Sequence, residues 1–153
     1  MDNIEIRPFV QSDYDSVKQV IDAVGWIGQY VVAQLESIRQ ISQNKEGEVI
    51  VAVVSGKIVG FIQALHYSWN RLSQVHGLMV LKEYHRQGIA RKLMEYVEDT
   101  AKKRGNRGIH LNTPVDNTRG RAFYTALQFS EKYIMLEYYE EGIDGVNYQK
   151  IFK

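Results

Sequence analysis

The chain of 153 residues contains no cysteine. Disulfide staples, thiolate metal sites and a cysteine nucleophile are therefore excluded, and no metal site is expected. Excess charge of one sign is equally scarce. Nineteen Lys and Arg against 18 Asp and Glu leave a net charge of +1, too little for a field that recruits nucleic acid or an anionic membrane. No apolar run approaches the ~20 residues that span a bilayer. Met1-Asp2-Asn3-Ile4-Glu5 has no basic region followed by an apolar stretch, so no signal peptide is expected and the default compartment is the cytoplasm. Linkers, repeats and low-complexity tracts are missing too. Residues 1–153 thus read as a single domain, with the 44% apolar and 24% charged content of a globular protein able to bury a full core.

What is present is a regular succession of elements. Ile4 to Val10 alternates as a strand and stops at Gln11-Ser12-Asp13. Val17, Val20, Ile21 and Val24 then recur at helical spacing behind Ser12 or Asp13 as N-cap, and Gly25 ends the helix. A break at Gly25-Trp26-Ile27-Gly28 precedes a second helix carrying Val31, Leu35 and Ile38. Glu48 to Val54 is almost continuously β-branched, the mark of a strand buried on both faces, and Ser55-Gly56 turns it into a returning strand, Lys57 to Tyr67. After a loop around Ser68-Trp69-Asn70 comes a strand from Ser73 to Val80. The helix from Gly88 to Arg104 has a row of Ile89, Leu93, Val97 and Ala101, with Ala90 and Met94 beside it. Its opposite face reads as Arg91, Lys92, Glu95, Glu98, Lys102 and Lys103, and Gly105 caps it. Arg107 to Thr113 reads as a strand and Asn117 to Leu127 as a helix. Two closing strands, Phe129 to Glu140 and Val146 to Phe152, flank a turn at Gly142-Ile143-Asp144-Gly145. This order predicts an α/β (α+β) domain on a single mixed sheet of about seven strands flanked by about four helices.

One junction carries chemistry. The strand ending at Val80 passes through Leu81-Lys82-Glu83-Tyr84 into His85-Arg86-Gln87-Gly88-Ile89-Ala90, where the long helix begins. Free backbone N–H groups stack at such a helix N-terminus, so the junction suits a phosphate-bearing ligand. Small residues at Gly88 and Ala90 let backbone approach phosphate, and Arg86, Arg91 and Lys92 add charge nearby. The Gly-Lys-Ser/Thr ending of a P-loop and the Gly-x-Gly-x-x-Gly of a dinucleotide fold are both absent.

The segment His85–Ala90 resembles the acyl-CoA loop of the GNAT (GCN5-related) N-acetyltransferase superfamily, Gln/Arg-x-x-Gly-x-Gly/Ala, with His85 departing from the first position. A second segment, Asn117 to Phe129, is similar to the family's Asn-x-x-Ala-x-x-x-Tyr-x-x-x-Gly-Phe. Asn117, Tyr124 and Phe129 match, while Gly120 replaces the alanine and Gln128 the glycine. The resemblance extends to the element order of essentially the whole chain. It implies the GNAT acyl-CoA N-acyltransferase fold and an acetyl-CoA-dependent N-acetyltransferase acting on a primary amine in a ternary complex. Acetyl-CoA would lie against Leu78, Met79 and Val80, whose strand splays from its neighbour in this family, and against His85, Arg86, Gln87, Gly88, Ile89, Ala90, Arg91, Asn117 and Tyr124. Tyr124 matches the family tyrosine near the CoA sulfur, often assigned as general acid.

Acetyl transfer to an amine also needs a proton acceptor, because an ammonium is not a nucleophile. Many family members use a glutamate on the fourth strand or its neighbours. Here those positions read Gln74 and His76, so His76 is the first candidate, with His110 on the next strand and a water chain as alternatives. With no cysteine, direct attack replaces a cysteinyl acyl-enzyme. By the same resemblance Trp26, Tyr67, Trp69 and His110 would border the acceptor, a small-molecule amine or a protein amine. Tyr133, Tyr138, Tyr139 and Tyr148 read as ordinary core and strand residues, and Glu137, Glu140, Glu141 and Asp144 as solvated turn acids. Two further readings compete. A non-catalytic acyl-CoA-binding regulatory domain would explain the motif departures, though retention of Tyr124 argues against it. A nucleic-acid binder built on Lys102–Arg107 is disfavoured, because those cations suit the end of a helix and net charge is small. Many members of the family are dimers, and strand edges or the C-terminal strands could pair two chains; the sequence does not choose an oligomeric state.

Overall fold

The computed structural model describes residues 3–25 and 28–153. Seven strands form one mixed sheet: β1 Ile4–Pro8, β2 Gly47–Val54, β3 Lys57–His66, β4 Leu72–Val80, β5 Gly108–Pro114, β6 Ser130–Glu140 and β7 Ile143–Ile151. Their order across the sheet is β1-β2-β3-β4-β5-β7-β6. Helices α1 Tyr14–Val24, α2 Gly28–Ser42, α3 Ile89–Lys103 and α4 Thr118–Ala126 complete the fold in the sequence order expected. No helix among the described residues is long and apolar enough to cross a membrane.

Local chemistry explains the boundaries. Gly25 stops α1 at φ +81°, and Ser55 and Gly56 are both left-handed, the mirror-image turn that joins β2 to β3. Asp13 sits at the head of α1, but its carboxylate turns back to accept from Val10 N (2.8 Å) and Arg7 (2.8 and 3.0 Å). The final turn differs from the expected Gly142–Gly145. Strand pairing continues to Glu140↔Ile143, leaving only Glu141-Gly142 as the turn, and Gly145 instead pairs with Met135. Between those pairs β6 carries extra residues in a wide bulge, with Glu137 left-handed.

The helices cover the two faces of the sheet unequally. On β3, Gln63 reaches α2 while His66, three residues on, joins a network with α3, so α2 and α3 lie on opposite faces. The predicted row Ile89, Leu93, Val97, Ala101 is buried, as are β2 and most of β3. Glu98, expected outside, is buried instead, because Lys150 of β7 meets its carboxylate at 3.0 Å. Under α3, His66 Nε2 meets Glu48 Oε1 at 2.9 Å and its Nδ1 meets Ser73 Oγ at 2.7 Å. Thr100 of α3 closes on Glu48 and Asn106 on Ser73. This satisfied polar knot ties β2, β3, β4 and α3 together at the end of the sheet where Leu72, Ser73 and Gln74 of β4 pair with β5.

Gln128, in the place of the family's glycine, adopts φ +73° just past α4. A side chain in that region costs about 1 kcal/mol. Gln128→Gly is expected to raise unfolding free energy by roughly 0.5–1 kcal/mol in urea titrations; a loss of stability would show that the Gln128 side chain holds structure of its own.

Candidate active site

β4 carries two irregularities that make the site. Gln63 pairs with Gly77 and Ala64 with Val75, so His76 is an extra residue in a β-bulge. Parallel pairing to β5 covers only Leu72↔Gly108, Ser73↔Ile109 and Gln74↔His110. Beyond that point β4 stays paired with β3 as far as Val80 but has no strand on its other side, while β5 continues beside β7. The expected splay is therefore present, and it leaves the backbone groups of the last turn of β4 on an open edge.

A cavity of about 710 Å³ fills the divergence. Leu78 to Arg86 and Gly88 to Arg91 line one side of it, and Asn117, Arg119, Gly120, Phe123 and Tyr124 the other. Gly88 is left-handed at φ +79° and caps α3 without any side-chain hydrogen bond, and Arg86 before it is left-handed at φ +65°. The first-turn N–H groups thus meet no capping side chain. A Cβ built on Gly88 would find no atom within 4 Å, so its surroundings are open. Exposed Arg86, Arg91 and Arg119 add cations around this opening. The donors, the charge and the space fit a polyphosphate group.

His85 departs from the family pattern for a visible reason. Its Nε2 donates to the Val80 carbonyl at 2.8 Å, pinning the loop to the end of β4 from within, while Nδ1 is buried without a partner. Gln87, expected to touch the ligand, is exposed and outside the cavity lining.

Asn117 caps α4 by accepting from Gly120 N (3.1 Å) and donates to Thr113 Oγ1 (2.8 Å). A Cβ at Gly120 would collide with the Asn117 carboxamide, which explains glycine where the family has alanine. Tyr124 packs against Phe123, Phe129 and Tyr148 with ring centroids 5.3 to 5.9 Å away. Burial pushes its phenol up to about 12, so the hydroxyl stays protonated at any working pH.

On the α2 face, beside the cavity and outside its lining, stands a second group of side chains. His76 and His110 stand close enough to influence one another, and burial lowers the pKa of each below 6.5, with His110 adding to the effect on His76. His76 Nε2 is buried and unpartnered. Asn147 Nδ2 points toward His110 Nδ1 (3.4 Å) and donates to Asn112 Oδ1 (3.0 Å). Gln34 of α2 donates to the His76 carbonyl (3.1 Å). The Tyr30 hydroxyl of α2 donates to the Tyr139 carbonyl at 2.6 Å, and Gln29 reaches Glu140 at 3.0 Å, so α2 meets the β6–β7 hairpin over this side.

Several expectations need correction. Tyr67 and Trp69 do not join the site. Their loop is anchored at the start of β4 by Ser68 N to Glu46 (2.9 Å) and Leu72 N to Asn70 (3.1 Å), roughly 25 Å of strand from Val80. Trp69 is 82% exposed there. Trp26 lies outside the described residues. Of the C-terminal tyrosines, Tyr148 is buried as expected, Tyr139 is half-buried beside the site, and Tyr133 and Tyr138 are exposed. Gln34, Gln63, Arg119 and Asn147 belong to the site region without any local sequence signal; only long-range pairing brings them there.

The Acetyltransferase (GNAT) family model matches residues 18–129. N-alpha-acetyltransferase 30 of Schizosaccharomyces pombe is 34% identical over 101 residues, covering 64% of this chain and 67% of that protein. Among solved structures, Ard1 from Thermoplasma volcanium superposes with a TM-score of 0.82 at 22% identity, covering 98% of both chains. The PaiA N-acetyltransferase from Thermoplasma acidophilum, crystallised with coenzyme A, superposes with a TM-score of 0.78 at 19% identity, covering 98% of this chain and 99% of that one. These two structural likenesses speak for the fold.

Proposed function

Because the chain belongs to the acetyltransferase (GNAT) family and is by that membership an N-acetyltransferase, we propose that it moves the acetyl group of acetyl-CoA to a peptide α-amine. The observation that carries this reading is the divergence of β4 from β5, with a phosphate-suited helix start at one end and a neutral histidine pair beside it. The relative from Schizosaccharomyces pombe, named for α-amine acetylation, points the same way.

Acetyl-CoA supplies a thioester whose acyl carbon takes the amine nitrogen while the carbon–sulfur bond breaks. Residues of this chain then have distinct tasks. The loop Arg86–Arg91 and the first turn of α3 hold the pyrophosphate. The open edge at Leu78, Met79 and Val80 hydrogen-bonds the pantetheine arm, and an N–H near Val80 polarises the thioester carbonyl. His76 Nε2, unpartnered and neutral, receives the proton the amine loses, with His110 as its neighbour. Tyr124 donates a hydrogen bond to the departing sulfur. Full proton transfer from a phenol at about 12 to a thiolate of ordinary pKa ~8.5 is uphill, so this tyrosine works by stabilising the thiolate.

The acceptor class follows from charge. Among the described residues no Asp or Glu hydrogen-bonds or shifts His76, His110, Asn112 or Asn147, which favours an amine that is already neutral. An α-amine with pKa near 7.7–8.0 is roughly one-tenth neutral at pH 7, whereas a lysine amine near ~10.4 is neutral in about one molecule in 2,500. Thiol release from acetyl-CoA, free of background because the chain lacks cysteine, measures the difference. A peptide with a free α-amine is expected to react at least about tenfold faster than its α-blocked, lysine-containing counterpart; faster reaction of the lysine peptide would overturn the α-amine reading. Tyr124→Phe is expected to lower kcat roughly 10- to 100-fold with acetyl-CoA affinity within about twofold, read by initial rates and calorimetry.

We propose a homodimer paired through β6. This edge strand is exposed on both faces, with Tyr133, Ile134, Met135 and Leu136 between 42% and 76% exposed. An apolar edge without cover invites a second strand, and two copies of one strand pair antiparallel with two-fold symmetry. Light scattering is expected to give about twice the 17.7 kDa chain mass, falling to one chain in Ile134→Lys. A single-chain mass for the unaltered protein would contradict the pairing.

A further inference from the structure

The β4 bulge that presents His76 is held from outside its own sheet. Gln34, half-buried on α2, uses both ends of its carboxamide. Its Oε1 accepts from Gln63 Nε2 at 2.7 Å, and its Nε2 donates to the carbonyl of His76 at 3.1 Å. Gln63 is completely buried on β3 and pairs with Gly77, the residue after the bulge. The fit is close: a Cβ at Gly77 would collide with Gln34 Oε1 and come within 3.0 Å of Gln63 Nε2. Glycine is therefore required there for the two carboxamides to reach the strand. Gln63 Oε1 is left buried and unpartnered, a cost that a leucine of similar shape would not carry.

We propose that Gln34, with Gln63 behind it, is the positioning residue for His76: it fixes the bulge so that the imidazole Nε2 faces the reacting amine. This rests on His76 as proton acceptor in the reaction proposed above. The geometry links α2, which also meets the β6–β7 hairpin through Tyr30 and Tyr139, to the strand that carries the proton acceptor. A one-residue bulge has few interactions of its own to define its orientation, so a hydrogen bond to its carbonyl decides where the side chain points. Gln34 and Gln63 beside the bulge are uncharged, and His110 on β5 is the titratable group that acts on the His76 ring, disfavouring its protonation.

The test compares Gln34→Leu, which removes both hydrogen bonds, and Gln34→Met, a neutral variant of similar length whose thioether keeps a weak acceptor for Gln63 and loses the donor to His76. Both are measured beside His76→Gln for kcat, for acetyl-CoA affinity, for melting temperature and for the pH profile of kcat/KM with an α-amine peptide. The amine sets a first acid limb near its own pKa of ~7.7–8.0, and the need for neutral His76 adds a second break below pH 6.5 in the unaltered protein. With the bulge released, the ring gains solvent, and this second break moves up toward 6.5 in both Gln34 variants. The expected kcat loss is roughly 10- to 100-fold, with acetyl-CoA affinity within about twofold. Should Gln34→Leu melt early, Gln34→Met still reads the loss of the donor bond with no charge added. Unchanged kcat and second break in a folded Gln34 variant would overturn the positioning role while His76→Gln remained impaired. An unimpaired His76→Gln would instead remove His76 as the proton acceptor, and the positioning role with it.

Discussion

Two neighbouring strands that pair for three residues and then part are the constraint on which this molecule is organised. Up to Gln74 and His110 the parallel ladder of β4 and β5 is a conventional sheet interior, backed by the buried His66–Glu48–Ser73 knot under α3. Past that point the ladder ends while both strands continue. Unpaired backbone in a protein interior is costly, so such an edge persists only where water or a ligand satisfies it. The cavity between the strands meets that need, and the other parts of the site follow from it. Helix α3 starts at the mouth because β4 delivers the chain there, α4 returns across the opening from β5, and the bulge at His76 begins where pairing stops.

Electrostatically the site has two unlike halves. The α3 end gathers first-turn N–H groups and the guanidinium groups of Arg86, Arg91 and Arg119, a place for phosphate. The α2 face gathers carboxamides and two imidazoles whose burial disfavours their charged form. Tyr124 stands near the junction as a phenol that does not ionise. In the proposed reaction the anionic cofactor tail meets the first half, and the amine, which must be neutral to react, meets the second beside it.

Features written in contiguous residues were legible in the sequence. The β-branched run of β2, the Ser55-Gly56 turn, the buried row of α3 and the loop ending at Gly88 all appear where spacing puts them, because each depends on neighbours within a few residues. The failures share the opposite property. Glu98 looks exposed on a helical wheel, yet Lys150 from a distant strand buries it. Trp69 sits close in sequence to the catalytic strand but at its far end in space. The Gly142–Gly145 turn was misplaced because Gly145 is a strand residue lying against the rings of Tyr138 and Tyr139, a role that only the bulge in β6 creates. Gln34 gives no sign of its contact with β4, since a glutamine on a helix reads as surface until the sheet is assembled.

In the proposed reaction acetyl-CoA lies along the unpaired edge of β4. Amide hydrogen exchange with and without acetyl-CoA tests it directly, because the N–H groups concerned belong to the backbone and need no substitution. Strong slowing is expected at Leu78 and Val80, whose N–H groups point away from β3, and at Ile89–Arg91, with the amides of β1 and β2 unchanged. Binding that leaves the β4 amides as fast as before, with protection elsewhere, would contradict it.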